Sequence, residues 1–390
     1  MRKSFLYLMF IALTTAFMTA CEKDDSDFSN YKLETDDPDP EPEPEPDDTT
    51  TVVTNDTIYI VYDNDKATVN GAAEGEYEVN GADVTFNKSA SNYQVFVLSG
   101  SSDNGSLLIY REKKYEIILN NVNLTHADGP AINNQCGKSL YINCPAGTVN
   151  TLTDGTEYAL RDIDQKGALF SEGQIYFRGT GTLNVIGNYK NAIASDDYIT
   201  VEDEMTLNIS STVGNGLKAN DGVFIQQGVL TIQVSADGAR GIKCDARTEI
   251  SGGTTTITTT GDCRVETVDG VTDTTSCACI KSDSLFVMTA GTLTLTSTGD
   301  GGKGINCSQN IELRGGTLVA TTTGDNDMGK PKALKSDTGI IVSGGSLTAT
   351  VKKSWALDNG VDSEDPKAHV TIVGTPTTEK ITKKSVQIIY

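Results

Sequence analysis

Apolar residues in this chain come in short runs rich in β-branched side chains, and clusters of Gly, Asn and Asp separate them. One phrase recurs: a small residue followed by Ile or Leu, at Ala131-Ile132, Ala168-Leu169, Ala192-Ile193, Gly216-Leu217, Gly241-Ile242, Cys279-Ile280, Gly304-Ile305, Ala333-Leu334 and Ala356-Leu357. The apolar positions are 37, 24, 24, 25, 38, 25, 29 and 23 residues apart. Two of these intervals are longer than the rest by about half a period, and a fixed period in the twenties signals stacked structural repeats.

One unit shows what each repeat contains. Val223-Phe224-Ile225 is followed by Gln227-Gly228, then by Val229-Leu230-Thr231-Ile232-Gln233-Val234, then by the turn Ser235-Ala236-Asp237-Gly238. Residues 305–327 repeat the grammar with Ile311-Glu312-Leu313, Gly315-Gly316 and Thr317-Leu318-Val319-Ala320-Thr321. These are strand and turn signals without a helical period. Three short strands per period make one coil of a right-handed parallel β-helix. A single coil cannot bury its inner row, but stacked coils bury a continuous one. The pattern predicts an all-β solenoid of about ten or eleven coils. Strands at Ile58–Tyr62, Val95–Leu98 and Tyr115–Leu119 have looser spacing, as expected where a terminal coil must blunt an exposed edge. The extra residues between 152 and 166, and between 262 and 278, are expected to leave the rod as loops.

The N-terminus differs from the rest. Arg2-Lys3, the apolar run from Phe5 to Phe17 and the small residues before Cys21 read as a secretory signal. They resemble a bacterial lipobox, which implies that Cys21 carries a lipid anchoring the chain to a membrane it does not span. Glu22-Lys23-Asp24-Asp25 resembles a surface-export signal of Gram-negative lipoproteins, and a solvated acidic linker is the plainer alternative. The acid–proline alternation from Asp36 to Asp48 is a stiff, self-repelling spacer. Residues 1–20 are thus expected to be a signal, 21–50 a lipidated linker and 51–390 the rod, an outer-membrane, surface-exposed and monomeric lipoprotein.

Of the formal charge of −22, the leader and linker account for all but −13, which the rod carries. So acidic a surface disfavours nucleic acid. Seven cysteines remain after Cys21. Cys263 and Cys277 bracket the second long insertion and are the best candidate disulfide. With only His126 and His369 in the chain, zinc sites and histidine-based triads are disfavoured.

Placed on the period, Asp196, Asp197, Asp221 and Asp245 fall at one corner of three consecutive coils, and Asp237 enters the turn that leads to Asp245. Stacked carboxylates repel one another, and calcium, which takes 6–8 oxygen ligands, would relieve them. Asp and Asn also favour turns for their own backbone hydrogen bonds, so the column has a structural reading as well. Lys218, Lys243, Lys281 and Lys335 form a parallel column. They are expected to make a cross-coil Lys–Asp ladder that cancels charge; alternatively Lys218 and Lys243 pair with sugar carboxylates, or a lysine acts as a base. Trp355, the only Trp, could stack on a sugar or seal the last coil. Gly252-Gly253, Gly315-Gly316 and Gly344-Gly345 lie between strands and read as turns.

Taken together, Gly129-Pro130-Ala131-Ile132, Asn150-Thr151-Leu152-Thr153-Asp154-Gly155, Gly187-Asn188-Tyr189, Ser195-Asp196-Asp197, Asn220-Asp221, Gly241-Ile242-Lys243 and Ile280-Lys281-Ser282-Asp283 resemble a known family. It is that of bacterial extracellular carbohydrate-binding domain proteins, calcium-binding parallel β-helices similar in fold to pectate lyases. The likeness covers roughly residues 57–350. It implies binding of plant-type polysaccharide, pectin-like acidic glycans included, with calcium as the bound ion. Two other functions are weighed against binding: a calcium-dependent polysaccharide lyase with Lys218, Lys243 or Arg240 as base, and a purely structural or adhesive stalk.

Overall fold

The computed structural model describes residues 57–87, 93–268 and 271–390. The signal, Cys21 and the acidic linker lie outside the described residues. The rest is an all-β solenoid whose coils stack through parallel strands on three faces.

The first face carries the recurrent Ile/Leu phrase. Ile132, Leu169, Ile193, Leu217, Ile242, Ile280, Ile305, Leu334 and Leu357 pair in register, one per rung, as the spacing predicts. The column continues toward the N-terminus through Leu107 and Val84, giving eleven rungs. All eleven side chains are buried. Burying each of them stabilises the rod by about 1.5–3 kcal/mol, and none could be buried without the coil above or below.

The second face is made of short strands such as Leu140–Cys144, Ile175–Gly179, Tyr198–Val201, Gly222–Ile225 and Arg247–Ile250. The third holds longer ones, from Val149–Thr153 and Thr182–Gly187 to Ser346–Val351. In these longer strands every second residue is buried, most of them apolar with an occasional Ser or Thr such as Ser211, Thr255 and Ser297, while Thr, Ser and Asn dominate the outward set. A glycine turns the chain from the second face to the third. Gly253, Gly291, Gly316 and Gly345 all adopt φ between +68° and +80°. A Cβ on Gly253 would lie 2.5 Å from Gly228 O of the coil beneath, so both handedness and space require glycine there.

Both ends are closed by antiparallel pairs. Thr57–Asp63 pairs antiparallel with Lys66–Asn70, and Tyr77–Asn80 with Ala82–Phe86. At the other end, the hairpin of Thr378–Thr382 and Ser385–Ile389 pairs antiparallel with Ser346–Val351. These irregular ends cover edges that would otherwise accept another chain. Of the two insertions, residues 154–166 form the expected loop. The second departs from expectation: Arg264–Val268 and Val271–Thr275 pair as a hairpin, because both arms are rich in β-branched Val and Thr and Asp269-Gly270 between them is a turn signal.

Candidate glycan-binding face

The corner after the first face holds the Asp and Lys columns. The two columns neutralise each other. Lys166 reaches Asp196 at 2.6 Å and Asp164 at 2.7 Å. Lys218 lies 3.6 Å from Asp245 and donates to Asn220 Oδ1 at 3.2 Å. Lys243 is bonded to Asp245 in its own coil and lies 3.5 Å from Asp283 in the next. Lys281 pairs with Asp283 at 2.5 Å, and Lys335 with Asp337. Lys166 and Lys243 each stand two residues from one carboxylate along the chain and one rung from another, whereas Lys218 and Lys281 each have one carboxylate and one neutral partner, Asn220 and Ser308. Burial alone would raise the Asp283 carboxyl, but Lys281 and Lys243 outweigh it and hold it below the usual range. Of the five aspartates predicted as calcium ligands, Asp196 and Asp245 therefore already face lysine.

Asp237 lies at a different corner, between the third face and the next coil. Its Oδ1 accepts the backbone N–H of Asp262 at 2.9 Å. Asp262 accepts that of Asp300 at 2.7 Å, and Asp300 that of Asp325 at 2.7 Å. This is a ladder of turn-capping carboxylates. Asp197 and Asp221 remain, on adjacent coils, near enough for the Asp221 charge to act on Asp197. Asp197 accepts from Tyr198 N at 2.9 Å and from the Gln174 side chain. Its carboxyl is raised, first by burial and also by the Asp221 charge. Among the described residues no three His, Cys, Asp or Glu side chains converge as a metal site.

Beside Asp197 begins a feature that the residue-by-residue reading missed. The outward positions of four consecutive coils on the second face carry Tyr141, Tyr176, Tyr198 and Phe224. Tyr141 and Tyr176 stack with ring centroids 5.1 Å apart and planes 28° from parallel. Tyr198 meets Tyr176 edge-on at 5.6 Å, and Phe224 meets Tyr198 edge-on at 6.0 Å. The Tyr176 and Tyr198 hydroxyls hydrogen-bond each other. The Arg178 guanidinium lies 4.0 Å from the Tyr141 centroid and pairs with Glu202. Arg247 lies 5.6 Å from the Phe224 centroid and pairs with Glu249. Asn143 Nδ2 donates to Glu116 Oε1 at 2.8 Å, and the Tyr93 hydroxyl donates to Glu116 Oε2 at 3.4 Å. The result is a half-exposed aromatic strip edged by amide, guanidinium and carboxylate groups. Its signal in the sequence was an aromatic in each of four successive short strands, three of them at one register position and Tyr198 two residues earlier.

Trp355 lies apart from this strip, at the C-terminal end. Its indole stacks on His369 at 4.5 Å, and the Lys383 ammonium lies 4.3 Å from its centroid. It lines a cleft of about 230 Å³ with Lys332, Asp358 and Asp362. Cys263 and Cys277 are both buried at the foot of the hairpin and hydrogen-bond each other through their sulfurs.

The carbohydrate-binding domain-containing protein family matches residues 80–245 and 238–327. The chain belongs to the carbohydrate-binding domain-containing family. All four rings of the strip lie within the matched residues. A carbohydrate-binding domain-containing protein of Acetivibrio thermocellus is 28% identical over 150 residues, covering 36% of this chain and 49% of that protein. The match thus spans about half the length of this relative. Among solved structures, the polysaccharide lyase-like protein from C. thermocellum, as a gadolinium derivative, aligns with a TM-score of 0.53 and 24% identity. That alignment covers 66% of this chain and 96% of the other, and it shows the shared fold.

Proposed function

We propose that the rod binds a polysaccharide chain along the strip Tyr141–Tyr176–Tyr198–Phe224, holding it without cleaving it. The observation that carries this reading is the unbroken ring-to-ring contact of four aromatics on consecutive coils, edged by groups that exchange hydrogen bonds with sugar hydroxyls. Aromatic faces bury the apolar faces of sugar rings, while Arg178, Asn143 and Glu202 meet their edges. A linear row of rings fits an extended chain better than a single sugar. Membership of a carbohydrate-binding family agrees with this reading.

Calcium enters as a partner of the glycan. Asp197 and Asp221 are the predicted ligands that fit it, because each lacks a lysine partner among the described ion pairs and one carboxyl is strained by the other. Two carboxylates supply only part of the 6–8 oxygens that calcium takes. In this reading the carboxylates of a pectin-like glycan and water supply the others, at the edge of the strip beside Tyr198. A calcium ion there would also reconcile an acidic rod with an acidic polysaccharide. The lipid on Cys21 and the acidic spacer would present the rod at the cell surface.

Lysine as a lyase base finds little support, since Lys218 and Lys243 are engaged by Asp and Asn side chains. The test is affinity electrophoresis in gels containing polygalacturonate or neutral plant glycans, with and without calcium. Retardation that Tyr176→Ala abolishes, without unsaturated product, supports the reading. Retardation unchanged by Tyr176→Ala would place binding elsewhere on the rod.

A further inference from the structure

The hairpin Arg264–Val268/Val271–Thr275 leaves the rod at Cys263 and returns at Cys277. These two cysteines differ from the other five of the rod in their surroundings. Their sulfurs hydrogen-bond each other, and adjacent glycines make room for them. A Cβ on Gly301 would lie 2.4 Å from Cys263 Sγ, and one on Gly302 would lie 3.2 Å from Cys277 Sγ. The Ser297 hydroxyl approaches Cys277 Sγ at 4.0 Å.

One buried and one half-buried cation stand by the pair. Lys303 is 9% exposed, and its ammonium donates to Gly301 O at 3.1 Å. Half-buried Arg240 lies within the field of Cys277, with its Nε buried and lacking a hydrogen-bond partner. Burial disfavours the charge on both. Among the described residues no carboxylate forms an ion pair with either. A buried ammonium such as Lys303 without a paired carboxylate demands another anion. The groups that favour the charge on Lys303 are the two sulfurs, Asp283 adding to Cys277 at Arg240, and Cys263 is the sulfur that ionises. The hydrogen bond from Cys277 and the Lys303 charge lower it against the opposing effect of burial, while Cys277 is raised.

We propose that Cys263 and Cys277 form a redox-active dithiol, Cys263 attacking and Cys277 resolving, whose oxidation rivets the foot of the hairpin. The co-reactant is a small or protein disulfide. The Cys263 thiolate attacks one sulfur of that disulfide, expelling the other half as a thiolate and forming a mixed disulfide. Cys277 then loses its proton and attacks Cys263 Sγ. The second half leaves as a thiolate, the Cys263–Cys277 bond forms, and the proton passes to the departing thiolate. Two electrons pass from the protein to the external disulfide. The cationic cage favours the thiolate in the same way that basic neighbours activate other cysteines.

The experiment uses the full chain carrying Cys21→Ser, reduced, freed of reductant and treated with a chromogenic pyridyl disulfide. The expected result is release of both pyridine thiols from one fast phase, with no adduct retained and a new bond mapped to Cys263–Cys277 by peptide mass. Cys277→Ser should stop at one adduct on Cys263, and Cys263→Ser should lose the fast phase. Lys303→Met, checked for fold by circular dichroism, should slow the attack about tenfold by removing the neighbouring cation. Reaction no faster than that of Cys136, Cys144 and the other buried thiols would overturn the proposal. So would a wild-type chain that keeps its adduct without closing the bridge.

Discussion

Tyr176 stacks on Tyr141 of the preceding coil, with ring centroids 5.1 Å apart. The contact exists because the two residues occupy the same outward position of paired strands. The coil spacing that builds the core thus also sets the spacing of the rings outside it. Arg178 ties the two together, lying over Tyr141 while its guanidinium pairs with Glu202.

Arg178→Ala should weaken glycan binding through lost packing and hydrogen bonding, by about 1 kcal/mol or roughly fivefold in Kd. Arg178→Lys should recover only part of it, since an ammonium cannot reproduce the planar stack. Calorimetric titration checks both, and equal affinity for all three proteins would remove Arg178 from the binding surface.

Lys243→Ala should leave glycan affinity unchanged and cost roughly 0.5 kcal/mol of stability, because it removes a half-exposed ion pair that salt screens. Asp283 should show the pH signature. Its folded carboxyl lies below the usual range. The stability it adds is therefore present above its unfolded value, about 3.9, and lost as pH falls through the folded one. Urea melts across acid pH at low and high salt measure this. A loss of glycan binding in Lys243→Ala would restore the lysine column to a binding role.

Asp197 carries the opposite sign. Burial and Asp221 raise its carboxyl, so the folded state favours the protonated form and loses stability as pH rises through that value. Asp197→Asn should stabilise the calcium-free rod at neutral pH by less than about 1 kcal/mol, part of the group being exposed to solvent. Calcium should raise the melting temperature of the wild type and leave that of the variant unmoved. A calcium shift of equal size in both would exclude Asp197 as a ligand.

Trp355→Ala should lower stability by about 1–3 kcal/mol, since the ring packs between His369 and Lys383 at the closing coil. Glycan affinity should not change. Loss of affinity at unchanged melting temperature would instead make Trp355 a sugar platform.

The architecture was readable because one inner column repeats as small residue plus Ile or Leu with little interruption. It became unreadable where that phrase changes. Leu107 and Val84 continue the same column, yet their neighbours Ser106 and Asp83 replace the small apolar residue, so the first coils read as loosely spaced. The hairpin after Cys263 was read as a loop, because periodicity cannot tell a projecting ladder from an irregular insertion. The Asp and Lys columns were visible as columns. What sequence spacing does not contain is the side-chain reach that commits Lys243 to Asp245 and Asp283. The aromatic strip was hidden for a related reason. Tyr141, Tyr176 and Phe224 share one register row, but 35 and then 48 residues separate them, and Tyr198 joins from the neighbouring position. Such a row emerges only when the strands of each coil are aligned as well as the coils themselves.

Whether the strip holds the glycan is decided by calorimetric titration of the Tyr141→Ala/Tyr176→Ala double variant beside the wild type. Polygalacturonate and a neutral plant glycan serve as ligands, each with and without calcium. The wild type should bind saturably and the double variant not at all, with both proteins melting within a few degrees of each other. Undiminished binding by the double variant would contradict binding at the strip.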